Sequence, residues 1–198
     1  ESVVAMYYQG LSDSVEDRAA MLVLEQCLSA PFYNSLRTEQ QLGYVVSTMN
    51  YSMRKVPGVM FLVQSPAADA QQIHRAIVDF LKRASCKSEE DVRVAQKAVL
   101  LKLEEPPQNQ WQWSQRYWSS IAELDESFEA REKLLNAVKE LSAGEVVGLN
   151  GQMLISGEPD VLFYADASSL DLPRLGYPTK LVSDYLHEKQ RLPSYTFP

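Results

Sequence analysis

Pro31-Phe32-Tyr33-Asn34-Ser35-Leu36-Arg37-Thr38-Glu39-Gln40-Gln41-Leu42-Gly43-Tyr44-Val45-Val46 packs a helix, a glycine stop and a strand entry into sixteen residues. Pro31 opens a short helix read as running to about Gln40, and Gly43 is read as its stop. From Tyr44 to Met53 the apolar period becomes two, with Val45, Met49, Tyr51 and Met53 on one face. Pro57-Gly58 signals a turn, and Val59, Phe61 and Val63 alternate up to Ser65, so the chain doubles back as an antiparallel hairpin. Arg37 then sits on the short helix and Tyr44 at the mouth of a strand, and both side chains could point into one space beyond the sheet edge. A guanidinium there can donate to peptide carbonyls or a carboxylate. A phenol there can donate to a developing oxyanion. The plainer alternative is a surface arginine and a half-buried strand tyrosine.

Upstream, Val3 to Gln9 is β-rich and ends at Gly10. Ser12-Asp13-Ser14 with Glu16 and Asp17 starts a helix carrying Val15, Ala19, Leu22, Val23 and Cys27. Downstream of Pro66 the period becomes helical: Ile73, Ala76, Ile77, Phe80 and Leu81 form one stripe. A helix started by Ser88 and Asp91 carries Val92, Ala95, Val99 and Leu103 and breaks at Pro106-Pro107. Trp111, Ser114, Trp118 and Ile121 follow at helical spacing, then Phe128, Leu134, Leu135, Val138 and Leu141. Ser142 and Glu145 form a capping box for a helix through about Leu154, and Val161 to Tyr164 is a last strand. This order predicts an α+β fold, an antiparallel β-sheet covered by helices on one face. Residues 1–167 read as one module and 168–198 as a tail punctuated by Pro173, Pro178, Pro193 and Pro198, with one short helix near Val182 to Gln190.

A chain of 198 residues, 45% hydrophobic and 23% charged, has the composition of a globular domain able to bury a sizeable core. A net charge of -7 argues against phosphate backbones and anionic lipid as partners. No apolar run reaches membrane-spanning length. Cys27 and Cys86 fall in apolar helical patterns and read as buried free thiols.

Most familiar chemistries find no residues here. Hydrolytic zinc sites use histidines at helical spacing with a carboxylate, and His74 and His187 each stand alone. No G-x-S-x-G elbow supports a serine nucleophile, and Gly144, Gly148, Gly151 and Gly157 are too scattered for a phosphate cradle. Glu89-Glu90-Asp91 and Glu104-Glu105 lie at helix ends, as dipole-complementing or solvated charges. Trp111, Trp113, Tyr117 and Trp118 could make an aromatic platform, but a core-facing stripe through Trp111 and Trp118 is the favoured reading.

The segment from Phe32 to Val46 resembles a signature of the C-terminal half of pitrilysin/insulinase-type (M16 family) zinc metallopeptidases. Leu36-Arg37, Gln41-Leu42-Gly43-Tyr44 and the spacing between them carry it, with Tyr7-Tyr8-Gln9 before and Tyr117-Trp118 after. The resemblance runs over about residues 3 to 165. It implies an M16 metallopeptidase-like two-layer module, the fourth and zinc-free one, with its first strand missing. The substrate clamp would be Arg37, holding the peptide backbone, and Tyr44, hydrogen-bonded to the scissile carbonyl or tetrahedral intermediate. The module itself would hold no metal. Zn2+ would come from the N-terminal catalytic half of the same polypeptide, and this module alone would be inactive. Substrates would be peptides or small unfolded proteins, and the excised module could self-associate through exposed interface. The compartment stays open between bacterial periplasm and cytoplasm, with the periplasm favoured. The alternative is a structural or interaction domain from an inactive paralogue.

Overall fold

The computed structural model describes residues 1–165 apart from 54, 84, 85, 87, 123, 124, 126 and 156. The tail, its helix near Val182 to Gln190 and His187 lie outside the described residues. Four strands, β1 (Ser2–Gln9), β2 (Val45–Asn50), β3 (Gly58–Ser65) and β4 (Val161–Ala165), form one antiparallel sheet in the order β2-β3-β1-β4. Six α-helices are described: α1 (Val15–Tyr33), α2 (Ala70–Arg83), α3 (Glu89–Glu104), α4 (Gln110–Ala122), α5 (Ala130–Glu140) and α6 (Ala143–Asn150). The α+β architecture matches the expectation.

Strand alternation sets the core. Val4, Met6 and Tyr8 of β1 and Val59, Phe61 and Val63 of β3 are buried with Val23, Leu24, Leu28 and Phe32 of α1 and Ile73, Ile77 and Phe80 of α2. Phe32 meets Phe61 and Phe80 edge-on, with ring centroids 5.3 and 5.2 Å away. On β2 the helix-facing positions are Val46, Thr48 and Asn50, in register with Val63, Phe61 and Val59. Val45 and Met49 therefore share a face, as expected, but it is the face turned away from that core. Glu25 of α1 pins the edge strand β2 from the core side: Thr48 Oγ1 donates to its carboxylate over 2.5 Å and Asn50 Nδ2 over 3.3 Å.

Local chemistry accounts for the helix starts. Ser14, Ser88 and Ser142 accept from the N–H of Asp17, Asp91 and Glu145. At Ser142 the capping box is complete, since its own N–H donates to Glu145 Oε2 over 2.9 Å. Helices α3 and α5 also cap each other. Arg131 of α5 donates to the carbonyls of Leu103, Lys102 and Glu105 at the end of α3. Gln96 of α3 donates to the carbonyls of Val138 and Leu141 at the end of α5.

Four local expectations are corrected. Pro31 does not open a second helix; it lies inside α1, which runs on directly into a π-helical turn, Asn34–Glu39. A proline inside a helix costs about 3 kcal/mol, but Phe32 and Leu36 on either side of this junction are fully buried, and each such side chain contributes roughly 1.5–3 kcal/mol. The hairpin strand ends at Asn50, and its turn lies earlier than Pro57-Gly58: Met53 pairs with Val56, and Lys55 takes a φ of 72°. Trp111 and Trp118 do not face a core; they are 70% and 65% exposed, and α4 buries none of its residues. Cys27 and Cys86 are not free thiols but a disulfide with Cα atoms 6.0 Å apart. Partners 59 residues apart in sequence cannot be matched from local pattern.

Candidate functional site

The sixteen-residue segment bends from helix to sheet in two steps. First the π turn closes: the N–H of Gln40 donates to Ser35 O over 3.0 Å and that of Leu42 to Leu36 O over 3.0 Å, while Gln41 adopts a φ of 51°. That left-handed residue, not Gly43, ends the helix. Then Gly43 passes against β3 so closely that a Cβ on it would lie 2.1 Å from the carbonyl oxygen of Gln64. The glycine is there for close approach of two backbones.

Tyr44 follows, 52% exposed, with its hydroxyl donating to Glu1 Oε2 over 2.8 Å. The same oxygen accepts from Gln64 Nε2 over 2.6 Å. Strand register explains the meeting: Val3 and Val45 both pair with Gln64, from opposite sides. The hydrogen bond to Glu1 holds the Tyr44 phenol above its ordinary pKa. The bonds from Tyr44 and then Gln64 hold the Glu1 carboxyl below its own. At neutral pH the group is thus a protonated phenol on a charged carboxylate.

Arg37 lies on the π turn seven residues before Tyr44. It is half-buried, and among the described residues no carboxylate or carbonyl partners its guanidinium. Arg37 and Tyr44 lie on one bend of the chain, and among the described residues no hydrogen bond joins them. Sequence reasoning missed Glu1 and Gln64 as neighbours of Tyr44. Only the pairing of β3 with both β1 and β2 reveals them.

The arrangement offers two donors, a phenol and a guanidinium, and one anion. It offers no metal set. Among the described residues no group of three or more His, Cys, Asp or Glu side chains is gathered as a metal site needs, and both cysteines are bonded to each other.

Residues 23–118 match the family model described as "PQQ synthase PqqF-like, C-terminal lobe domain 4". Coenzyme PQQ synthesis protein F of Pseudomonas syringae pv. tomato is 40% identical over 83 residues, covering 42% of this chain and 11% of that protein. Human insulin-degrading enzyme is 22% identical over 159 residues, covering 79% of this chain and 16% of that enzyme. The chain therefore corresponds to only a small part of these relatives. In fold, the crystal structure of pitrilysin superposes with a TM-score of 0.66 at 20% identity, covering 90% of this chain and 19% of that one. In its fold and over residues 23–118 the chain is similar to a C-terminal-lobe module of pitrilysin/insulinase-type (M16) peptidases.

Proposed function

We propose that this module is the substrate-clamping part of a zinc metalloendopeptidase, with Arg37 and Tyr44 as its two contacts to the peptide. The observation that carries the reading is the half-buried guanidinium of Arg37, which has no carboxylate or carbonyl partner among the described residues, on the bend that also presents Tyr44. A partly buried cation without an anion is stabilised by an incoming acceptor, and a peptide carbonyl or terminal carboxylate would supply one. Tyr44 is a protonated donor at neutral pH and can be released from the exposed Glu1 carboxylate to a carbonyl whose oxygen gains charge. The described residues do not fit a zinc site, so zinc and the attacking water are assigned to the N-terminal half of the full-length polypeptide. The module binds and orients peptides or small unfolded proteins that enter between the halves. The Cys27–Cys86 bond supports an oxidising compartment such as the bacterial periplasm.

The test uses the full-length protein and a quenched peptide substrate. Arg37→Ala and Tyr44→Phe should each lower kcat/KM while bound zinc, measured by atomic absorption, stays unchanged. Loss of zinc in either variant would overturn this division of labour. A zinc-free, silent full-length protein would instead make the module a scaffold of an inactive relative.

A further inference from the structure

Cys27 sits on α1 ten residues before Arg37. Pro31 lies four residues beyond Cys27 and has no N–H, so it cannot donate the usual helical hydrogen bond to the Cys27 carbonyl. The backbone ladder is therefore interrupted where the helix turns toward the π turn. At that point a covalent bond takes over: Cys27 is joined to Cys86, just before α3. Cys86 is itself fixed, because Asn150, only 1% exposed, donates from Nδ2 to the Cys86 carbonyl over 3.2 Å. A cavity of about 360 Å3 opens beside the bond, bounded by Gln26, Ala30, Pro31 and Ala95 together with the two cysteines. Because both cysteines are part of its lining, this is the side from which a small thiol reagent would come.

We propose that the Cys27–Cys86 disulfide is a redox-sensitive tether that sets the position of the Arg37 turn, and that its reduction by a dithiol loosens that turn. A thiolate of the dithiol attacks one sulfur, the Cys27–Cys86 S–S bond breaks, and a mixed disulfide forms. The second thiolate of the reagent resolves it. Two electrons and two protons end on Cys27 and Cys86 as thiols, and the dithiol leaves as its own disulfide. The substrate side of the proposal rests on the clamp reading of Arg37; the tether itself does not.

The experiment is hydrogen–deuterium exchange on the full-length protein, oxidised and after dithiothreitol, beside a Cys27→Ser/Cys86→Ser double variant. Exchange over residues 32–42 is expected to quicken several-fold on reduction, with β1 and β3 unchanged. The double variant should match the reduced protein and ignore dithiothreitol. Unchanged exchange at 32–42, or loss of protection through the whole sheet, overturns the tether. In the same samples KM for the quenched peptide should rise while kcat changes less. A local rise in exchange with KM constant upholds the tether and instead removes Arg37 from the substrate contact.

Discussion

The backbone of Gly43 lies against the carbonyl of Gln64, with no room for even a methyl group between them. An alanine there would place its Cβ 2.1 Å from an oxygen fixed in the β3 ladder. Backbone cannot swing aside as a side chain can, so Gly43→Ala should cost at least about 2 kcal/mol of stability. The check is denaturant unfolding of the variant, with a fall in midpoint at constant slope.

Glu1 and Tyr44 give a titration prediction. The hydrogen bond favours the protonated phenol, so any stability it confers is present below the ordinary tyrosine range and lost as pH rises through the raised value. For Glu1 the sign reverses: the contribution is present above the ordinary carboxylate range and lost as pH falls through the lowered value. Glu1→Gln should bring the Tyr44 midpoint down toward that of a free tyrosine. Ultraviolet or NMR titration reads this directly, and an unmoved midpoint would refute the contact.

Tyr44→Phe in the full-length protein tests whether the phenol serves the reaction as proposed. Loss of a single donor to a developing oxyanion costs about 3–4 kcal/mol, or roughly 100- to 1,000-fold in kcat. A change confined to KM would mean that Tyr44 binds ground state and transition state alike.

Removing the disulfide should be felt as stability as well as mobility. For a sequence separation of 59 residues the chain-entropy argument gives about 4 kcal/mol. The Cys27→Ser/Cys86→Ser variant should melt several degrees lower, and a melting temperature equal to the parent's would show that the bond adds nothing to the native state.

Glu25 predicts a smaller effect. Glu25→Ala leaves Thr48 and Asn50 without their shared acceptor on α1. Hydrogen bonds to a charged group contribute about 1.5–3 kcal/mol, discounted here because Glu25 is only half-buried. A loss of about 1 kcal/mol, with faster amide exchange in β2, is the expected result.

Periodic features were legible from residues alone. The alternation of Val59, Phe61 and Val63, the stripe from Ile73 to Leu81 and the Ser142–Glu145 box all stand in the structure where the pattern put them. Arg37 and Tyr44 were legible as candidates because their segment is dense in structure-changing residues. What depended on pairing across the chain was not. Gly43 looks like a helix stop until β3 is set beside it, and Glu1 has no visible tie to Tyr44 until Val3 and Val45 share Gln64. The tryptophans misled for a related reason. Helical spacing shows that Trp111 and Trp118 lie near one another on α4, not whether anything covers them.

The mutual capping of α3 and α5 makes each helix finish the other. The last carbonyls of α3 wait for Arg131, between 26 and 29 positions further along the chain, and those of α5 wait for Gln96. Neither helix end can fray without stripping partners from its neighbour, so the pair should open and close as one cooperative block. Amides at the end of α3 and the end of α5 would then share a single opening free energy, and Arg131→Ala would lower it for both.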